Sequence, residues 1–146
     1  MNIAISSDHG GNTLRKEITS LLDELGHTYQ DFGPQTSDSV DYPDYAQPVS
    51  QGVAAGEFDR GILICGTGIG MSIAANKVKG IRCALVHDVF SAKATRGHND
   101  SNVLAMGERV IGGGLAREIV KTWLEGEFEG GRHERRISKL SELENK

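Results

Sequence analysis

Three alternating glycines in the run Cys65-Gly66-Thr67-Gly68-Ile69-Gly70 form the stretch of this sequence most open to chemistry. Such spacing lets successive backbone N–H groups approach one ligand, and a helix that follows adds the positive end of its dipole. The combination suits an anion. A dinucleotide fingerprint, G-x-G-x-x-G, would need glycine at position 71, where Met71 stands. Asp88 lies at about the distance at which that fingerprint places its ribose-binding acid, but the misplaced third glycine makes this a coincidence. The P-loop pattern fails as well, because no Gly-Lys-Ser/Thr follows. A plain tight turn from strand to helix also accounts for the glycines. Cys65 stands where strand meets turn. A thiol near a helix N-terminus is more acidic than its usual value of about 8.5 and can act as base or nucleophile. The commoner fate of a free cysteine is to pack as a small hydrophobe. Cys83, inside an apolar run, fits that second description.

Three further groups carry polar chemistry. Asp8-His9-Gly10-Gly11 combines a carboxylate and an imidazole that can bind hydroxyls or a phosphate, although a helix cap alone would explain Asp8. His98-Asn99-Asp100 offers an imidazole, the usual proton shuttle near neutral pH. A lone loop histidine is more often structural. Arg132 and Arg136 are four apart, so a helix places both guanidinium groups on one face, where they suit a phosphate or form a solvated basic surface.

The elements that must hold these residues follow from periodicity. Met1–Ser6 reads as a strand and Ser7–Gly11 as a turn. Leu14, Ile18, Leu21, Leu22 and Leu25 follow helical spacing, closed by Gly26. His27–Phe32 reads as a strand, Gly33–Tyr45 as a loop with Pro34 and Pro43, and Ala46–Ala55 as a helix. Gly61–Cys65 and Arg82–His87 are short apolar runs typical of strands buried on both faces. Met71–Lys77 and Val89–Gly97 read as helices and Val103–Met106 as a strand. Leu115, Ile119, Trp123 and Leu124 mark a helix after Gly112–Gly114, and Ile137, Leu140 and Leu143 a last amphipathic one. Alternating strands and helices imply an α/β fold with a parallel sheet covered on both faces. Ligands in such folds sit beyond the carboxyl ends of the strands. Ser7–Gly11, Cys65–Gly70, His87–Asp88 and Met106–Arg109 should therefore converge on one edge.

The 146 residues suit one domain, with no repeat or linker in view. The formal net charge of −4 disfavours nucleic acid and anionic lipid as partners. The one strongly basic stretch is Arg132–Arg136. The N-terminus has no basic, then apolar, signal pattern, and no apolar run reaches the roughly 18 residues of a membrane span. With only two cysteines, the expectation is a cytoplasmic protein with reduced thiols. The five histidines show no tight metal-ligand spacing, so no metal is expected.

Taken together, the motifs S-D-H-G-G near the start, D-Y-P-D-Y at 41–45, GILICGTGIGMSIAANKVKGIR at 61–82, H-N-D-S-N-V-L-A-M-G-E-R-V at 98–110 and E-G-G-R-H-E-R-R at 129–136 resemble the type B ribose-5-phosphate isomerases. That wider family includes the galactose-6-phosphate isomerase subunits. The resemblance covers nearly the whole chain. It implies a Rossmann-like αβα sandwich with a mostly parallel sheet of about five strands, and no cofactor. It also implies a homodimer, sometimes paired into a tetramer, with active sites between subunits. It makes Cys65 the base that moves the C1/C2 proton; Ile69 stands where other members carry a glutamate, so the chain looks like the cysteine-dependent branch. His98 becomes the ring-opening acid/base, assisted by Asp8. Gly66, Thr67, Gly68, Ile69 and Gly70 would face the oxyanion, and Tyr42 and Asn99 the sugar. His9, Arg109, Arg132 and Arg136 would hold the phosphate. Rival expectations are a galactose-6-phosphate or allose-6-phosphate isomerase of the same family, and a non-catalytic nucleotide- or flavin-binding module on the same sheet.

Overall fold

Along strand β1 (Asn2–Ser7), Ile3 and Ile5 turn to one face and Ala4 to the other, and all three are fully buried. Strand β3 (Arg60–Cys65) repeats this, with Ile62 and Ile64 opposed to Leu63 and Cys65. In strand β5 (Val103–Gly107), Leu104 and Met106 oppose Val103 and Ala105. Strands buried on both sides must lie inside a sheet with helices on each face. The computed structural model describes residues 1–146 and has that form. With β2 (Thr28–Asp31) and β4 (Cys83–Leu85) at the edges, the order is β2-β1-β3-β5-β4, and every pairing is parallel.

Helices α1 (Asn12–Glu24), α4 (Val89–Ala94) and α5 (Gly113–Glu125) cover the face bearing Ile3 and Ile62. Helices α2 (Tyr42–Ala54) and α3 (Ile69–Ala75) cover the other. The largest fully buried side chain, Trp123, donates its indole N–H to Ser101 Oγ at 2.9 Å, so its one polar atom is satisfied in the core. Helix α6 (Arg132–Leu143) stands apart; of its residues only His133 is buried. No helix is long and apolar enough to cross a membrane. The chain leaves β1 toward β2 on one side, then passes back over β1 to β3 on the other. A crevice opens at such a switch point, beyond the carboxyl ends of the two strands.

Several boundaries differ from the sequence reading, each for a physical reason. Helix α2 begins at Tyr42 rather than Ala46, because Pro43 falls in its first turn, where a missing N–H costs nothing. Helix α3 begins two residues before Met71, directly on the glycine turn. Helix α4 stops at Ala94, and the chain continues to Asn99 as a π-helical turn. The most informative difference is β4. Its apolar sequence reads as buried on both faces, yet it is a three-residue edge strand with Cys83 and Ala84 half-buried and Leu85 40% exposed. Leu85 is apolar without being covered by this chain.

Candidate active site

Three strand ends meet at the carboxyl edge of the sheet. Ser7 pairs with Ile64, and Cys65 with Gly107. Beyond β1, the Asp8 N–H bonds the Ile64 carbonyl at 3.1 Å, and the turn His9–Gly11 packs on β3 so closely that a Cβ on Gly11 would lie 2.7 Å from that carbonyl oxygen. Asp8 Oδ1 accepts the Gly10 N–H at 2.8 Å, the expected capping role, which leaves its other oxygen free. His9 is exposed, and its Nδ1 accepts the Val40 N–H at 3.1 Å, so the ring presents Nε2 outward. Asp8, His9 and residues 40–44 line a cleft of about 530 Å³. Buried Arg15 braces this region, bonding Asn12 Oδ1 (2.7 Å) and the Pro34 carbonyl (2.6 Å) and pairing with Asp31 (3.1 Å).

Beyond β3, Cys65 is 5% exposed, and its Sγ accepts the Gly68 N–H at 3.0 Å. Gly68 has φ +79°, and a Cβ there would lie 2.6 Å from Leu85 Cδ1 and 2.8 Å from the Met106 carbonyl carbon, so both conformation and space require glycine. The Ile69 N–H goes to Thr67 Oγ1 at 3.2 Å. The expectation that every N–H from Gly66 to Gly70 faces a ligand is thereby corrected: the turn uses two of them to brace itself. The N–H groups of Gly66, Thr67 and Gly70 make no hydrogen bond within the chain. Thr67 accepts one bond, so its hydroxyl proton is free to donate outward. The Tyr42 ring lies over Gly70, where a Cβ would be 2.6 Å from Cε1.

Beyond β5, the N–H groups of Glu108 and Arg109 bond the carbonyls of Cys65 (2.9 Å) and Gly66 (3.0 Å). The Arg109 side chain lies over Gly66 with no carboxylate partner. Two features resolve as structural. Met71 is fully buried in the core and Asp88 caps α4 through the Ser91 N–H at 2.7 Å, so neither completes a dinucleotide site. Burial pushes the Cys83 thiol up to about 12, as for an inert packed cysteine.

The remaining predicted residues are at the opposite end. The π-helical turn with His98 and Asn99 precedes β5, and the Asn102 carbonyl after it accepts the Gly61 N–H at the start of β3. Helix α5 ends there too, its Trp123 carbonyl accepting from Arg60 at 2.8 Å. The chain then returns with Glu129 N–H bonded to the Gly97 carbonyl (3.0 Å) before Arg132 opens α6. A six-residue strand separates the two ends by about 16 Å. Within one chain, then, Asp8, His9, Tyr42, Cys65–Gly70 and Arg109 come together, whereas His98, Asn99, Arg132 and Arg136 form a second group.

That second group contains two residues the sequence did not single out. His133 stacks on His98 with ring centroids 4.2 Å apart, and the Glu129 carboxylate lies 3.6 Å from His98 Nε2 and 3.8 Å from His133 Nε2. Partial burial, His98 and then Arg132 hold His133 below its ordinary pKa, against the pull of Glu129. The three ligand atoms fall within 4.8 Å of one another, but the arginines beside them make the cluster a better match for an anion than for a cation. Arg132 and Arg136 are exposed and have no carboxylate partner.

The fold and this edge define an α/β protein that presents a thiol, free backbone donors and an arginine beyond the switch point of a parallel sheet. The chain belongs to the Ribose/Galactose Isomerase family, whose model matches residues 3–140. It is 69% identical to YwlF of Bacillus subtilis, over all of this chain and 99% of that one; the name of that protein assigns it provisionally to the sugar phosphate isomerases. It is 49% identical to ribose-5-phosphate isomerase B of Escherichia coli, over 99% and 97% of the two chains. The ribose-5-phosphate isomerase B structure from Clostridium thermocellum is similar with a TM-score of 0.98 and 53% identity, covering 99% of this chain and 98% of that one.

Proposed function

We propose that this chain interconverts ribose 5-phosphate and ribulose 5-phosphate through an enediolate, at sites assembled from two copies of the chain. The observation that carries this reading is the division of the site. A thiol with free backbone donors lies at one end of the sheet, and an imidazole with two unpaired arginines lies at the other. No single chain can bring them together across about 16 Å of strand. A two-fold pair of chains can, each giving one end to each site. The surface supports pairing. Ile69, Ile73, Leu85 and Phe90 are exposed around α3 and β4, and a cleft of about 590 Å³ runs between β4 and Leu140 of α6. Apolar surface of that kind marks a contact face.

In the proposed mechanism Arg132 and Arg136 of one copy, with His9 and Arg109 of the other, grip the phosphate. That grip fixes the open chain for proton transfer at the distant carbons. His98 opens the aldose ring by moving a proton between the anomeric hydroxyl and the ring oxygen, while Asp8 and Asn99 hold sugar hydroxyls and Tyr42 flanks the sugar. Cys65 removes the proton from C2 of the aldose and returns it to C1, with the hydroxyl proton passing between the two oxygens. The enediolate charge meets the free N–H groups of Gly66, Thr67 and Gly70 and the Thr67 hydroxyl, which are fixed before the reaction starts. These donors do the work a Lewis acid would do, and no cofactor enters the scheme. The Mycoplasma genitalium structure solved with bound ribulose-5-phosphate, 44% identical with a TM-score of 0.96 and covering 99% of this chain and 97% of that one, supports the same substrate here. Residues 1–146 act as one isomerase domain. A thiol that must stay free to work belongs in the reducing cytoplasm.

A coupled assay of the pure chain against ribose 5-phosphate, allose 6-phosphate, galactose 6-phosphate and erythrulose 4-phosphate tests the substrate. The last is included because a 43% identical relative from Pectobacterium atrosepticum is named D-erythrulose-4-phosphate isomerase. The highest kcat/KM is expected with ribose 5-phosphate. Turnover confined to six-carbon substrates would move the chain to the hexose branch. No turnover, with a chromophore or nucleotide carried through purification, would make it a binding module.

A further inference from the structure

His87 lies at the fourth strand end and has no part in the mechanism above. Its Nε2 accepts the Gly107 N–H at 2.9 Å. The sheet explains why. Strand β4 pairs with β5 only as far as Leu85 and Ala105, and Val86 makes the last bond, to the Ala105 carbonyl at 3.0 Å. Past that point no β4 carbonyl is bonded to Gly107, and the imidazole nitrogen takes the carbonyl's place. Gly107 is no ordinary strand end. A Cβ on it would lie 2.6 Å from the Thr67 carbonyl carbon, so its backbone rests on the glycine turn. The next two N–H groups, of Glu108 and Arg109, bond the carbonyls of Cys65 and Gly66.

We infer that neutral His87 is a positioning residue, which through Gly107 holds the Arg109 segment against the Cys65–Thr67 turn. The inference rests on the proposed phosphate contact of Arg109. An imidazolium has two N–H groups and no acceptor, so protonation sets a donor against the Gly107 donor and releases the segment. Burial holds the His87 pKa below its ordinary value of 6.5, against the opposing pull of Asp88. Few other charges face the ring. Glu108 is turned to the Leu14 N–H at 2.6 Å and Arg109 lies over Gly66. Helix α3 carries no ionisable side chain, and α4 only Lys93, which is exposed. The sign follows: the neutral form is favoured in the fold, so the contact is present above the ordinary imidazole range and lost as pH falls through the lowered value.

The test combines His87→Leu and His87→Gln with Arg109→Ala. Well above the imidazole range, His87→Leu should raise the KM for ribose 5-phosphate roughly two- to tenfold, the factor that a net hydrogen-bond contribution corresponds to. His87→Gln, whose amide oxygen reaches the same place, should keep a KM near wild type. As pH falls below 6.5, the ratio of wild-type to His87→Gln KM should rise; the ratio cancels the titration of the substrate phosphate. In wild-type NMR spectra, the Gly107 amide shift should titrate together with the His87 ring. A ratio that is flat with pH, or a Gly107 amide that ignores the His87 titration, overturns the inference even if His87→Leu does not fold. If Arg109→Ala keeps wild-type KM while the Gly107 coupling is seen, the phosphate role of Arg109 is what fails.

Discussion

Replacing Cys65 with serine should lower kcat by about two to four orders of magnitude, the range that loss of a general base costs, while KM changes little. The side chain is nearly isosteric, and its site is defined by one donor, the Gly68 N–H at 3.0 Å, which a serine oxygen can accept equally well. The turn should therefore keep its shape, and the arginines their grip. What disappears is basicity, since a hydroxyl near neutral pH holds its proton far more tightly than a thiol. Cys83→Ser is the control. That residue is a packed cysteine whose thiol burial has pushed up to about 12, and its loss should leave the rate nearly unchanged. Thiol alkylation should inactivate the enzyme, with substrate protecting it. A fully active Cys65→Ser enzyme would remove the thiol from the mechanism.

The second large effect should come from the other end of the sheet. Arg132→Ala and Arg136→Ala should each lower kcat/KM roughly 10- to 150-fold, mostly through KM, because a charge-assisted contact contributes about 1.5–3 kcal/mol. Both side chains are exposed on α6 and pair with no carboxylate in their own chain, so thermal stability should be little affected. Steady-state kinetics beside a melting curve separate the outcomes. Wild-type kinetics in both variants would make this helix a solvated basic face.

Much of this was legible in the sequence, and the limits are instructive. The apolar alternation of Ile3–Ile5, Ile62–Cys65 and Val103–Met106 marks the central strands, because a residue buried on either face must be apolar there. Asp8, Cys65 and Arg109 could be placed on one edge because each ends or follows such a strand. Periodicity could not say that His98 and Arg132 lie at the opposite edge. That follows from α4 and α5 running back to the start of the sheet, which is a property of topology. Nor could spacing bring together His98, Glu129 and His133, which meet only because the segment after α5 bonds back to Gly97. The glycine turn was visible as a donor loop, but not that Gly68 and Ile69 spend their N–H groups on Cys65 and Thr67. Arg82–His87 misled for a different reason. Its apolar residues read as interior, and within one chain Leu85 is at the surface.

The claim that each site takes Cys65 from one chain and His98 from another is tested by mixing two inactive variants. Cys65→Ser and His98→Asn are purified separately, then unfolded and refolded together so that chains exchange. In a mixed two-fold pair one site carries both lesions, and the other combines the intact Cys65 of one chain with the intact His98 of its partner. Half of the pairs formed at random from equal amounts are mixed, so roughly a quarter of wild-type activity should be recovered. Each variant refolded alone should stay inactive. If chain exchange is demonstrated and the mixture is no more active than its components, both residues act within one chain, and the two-chain site is wrong.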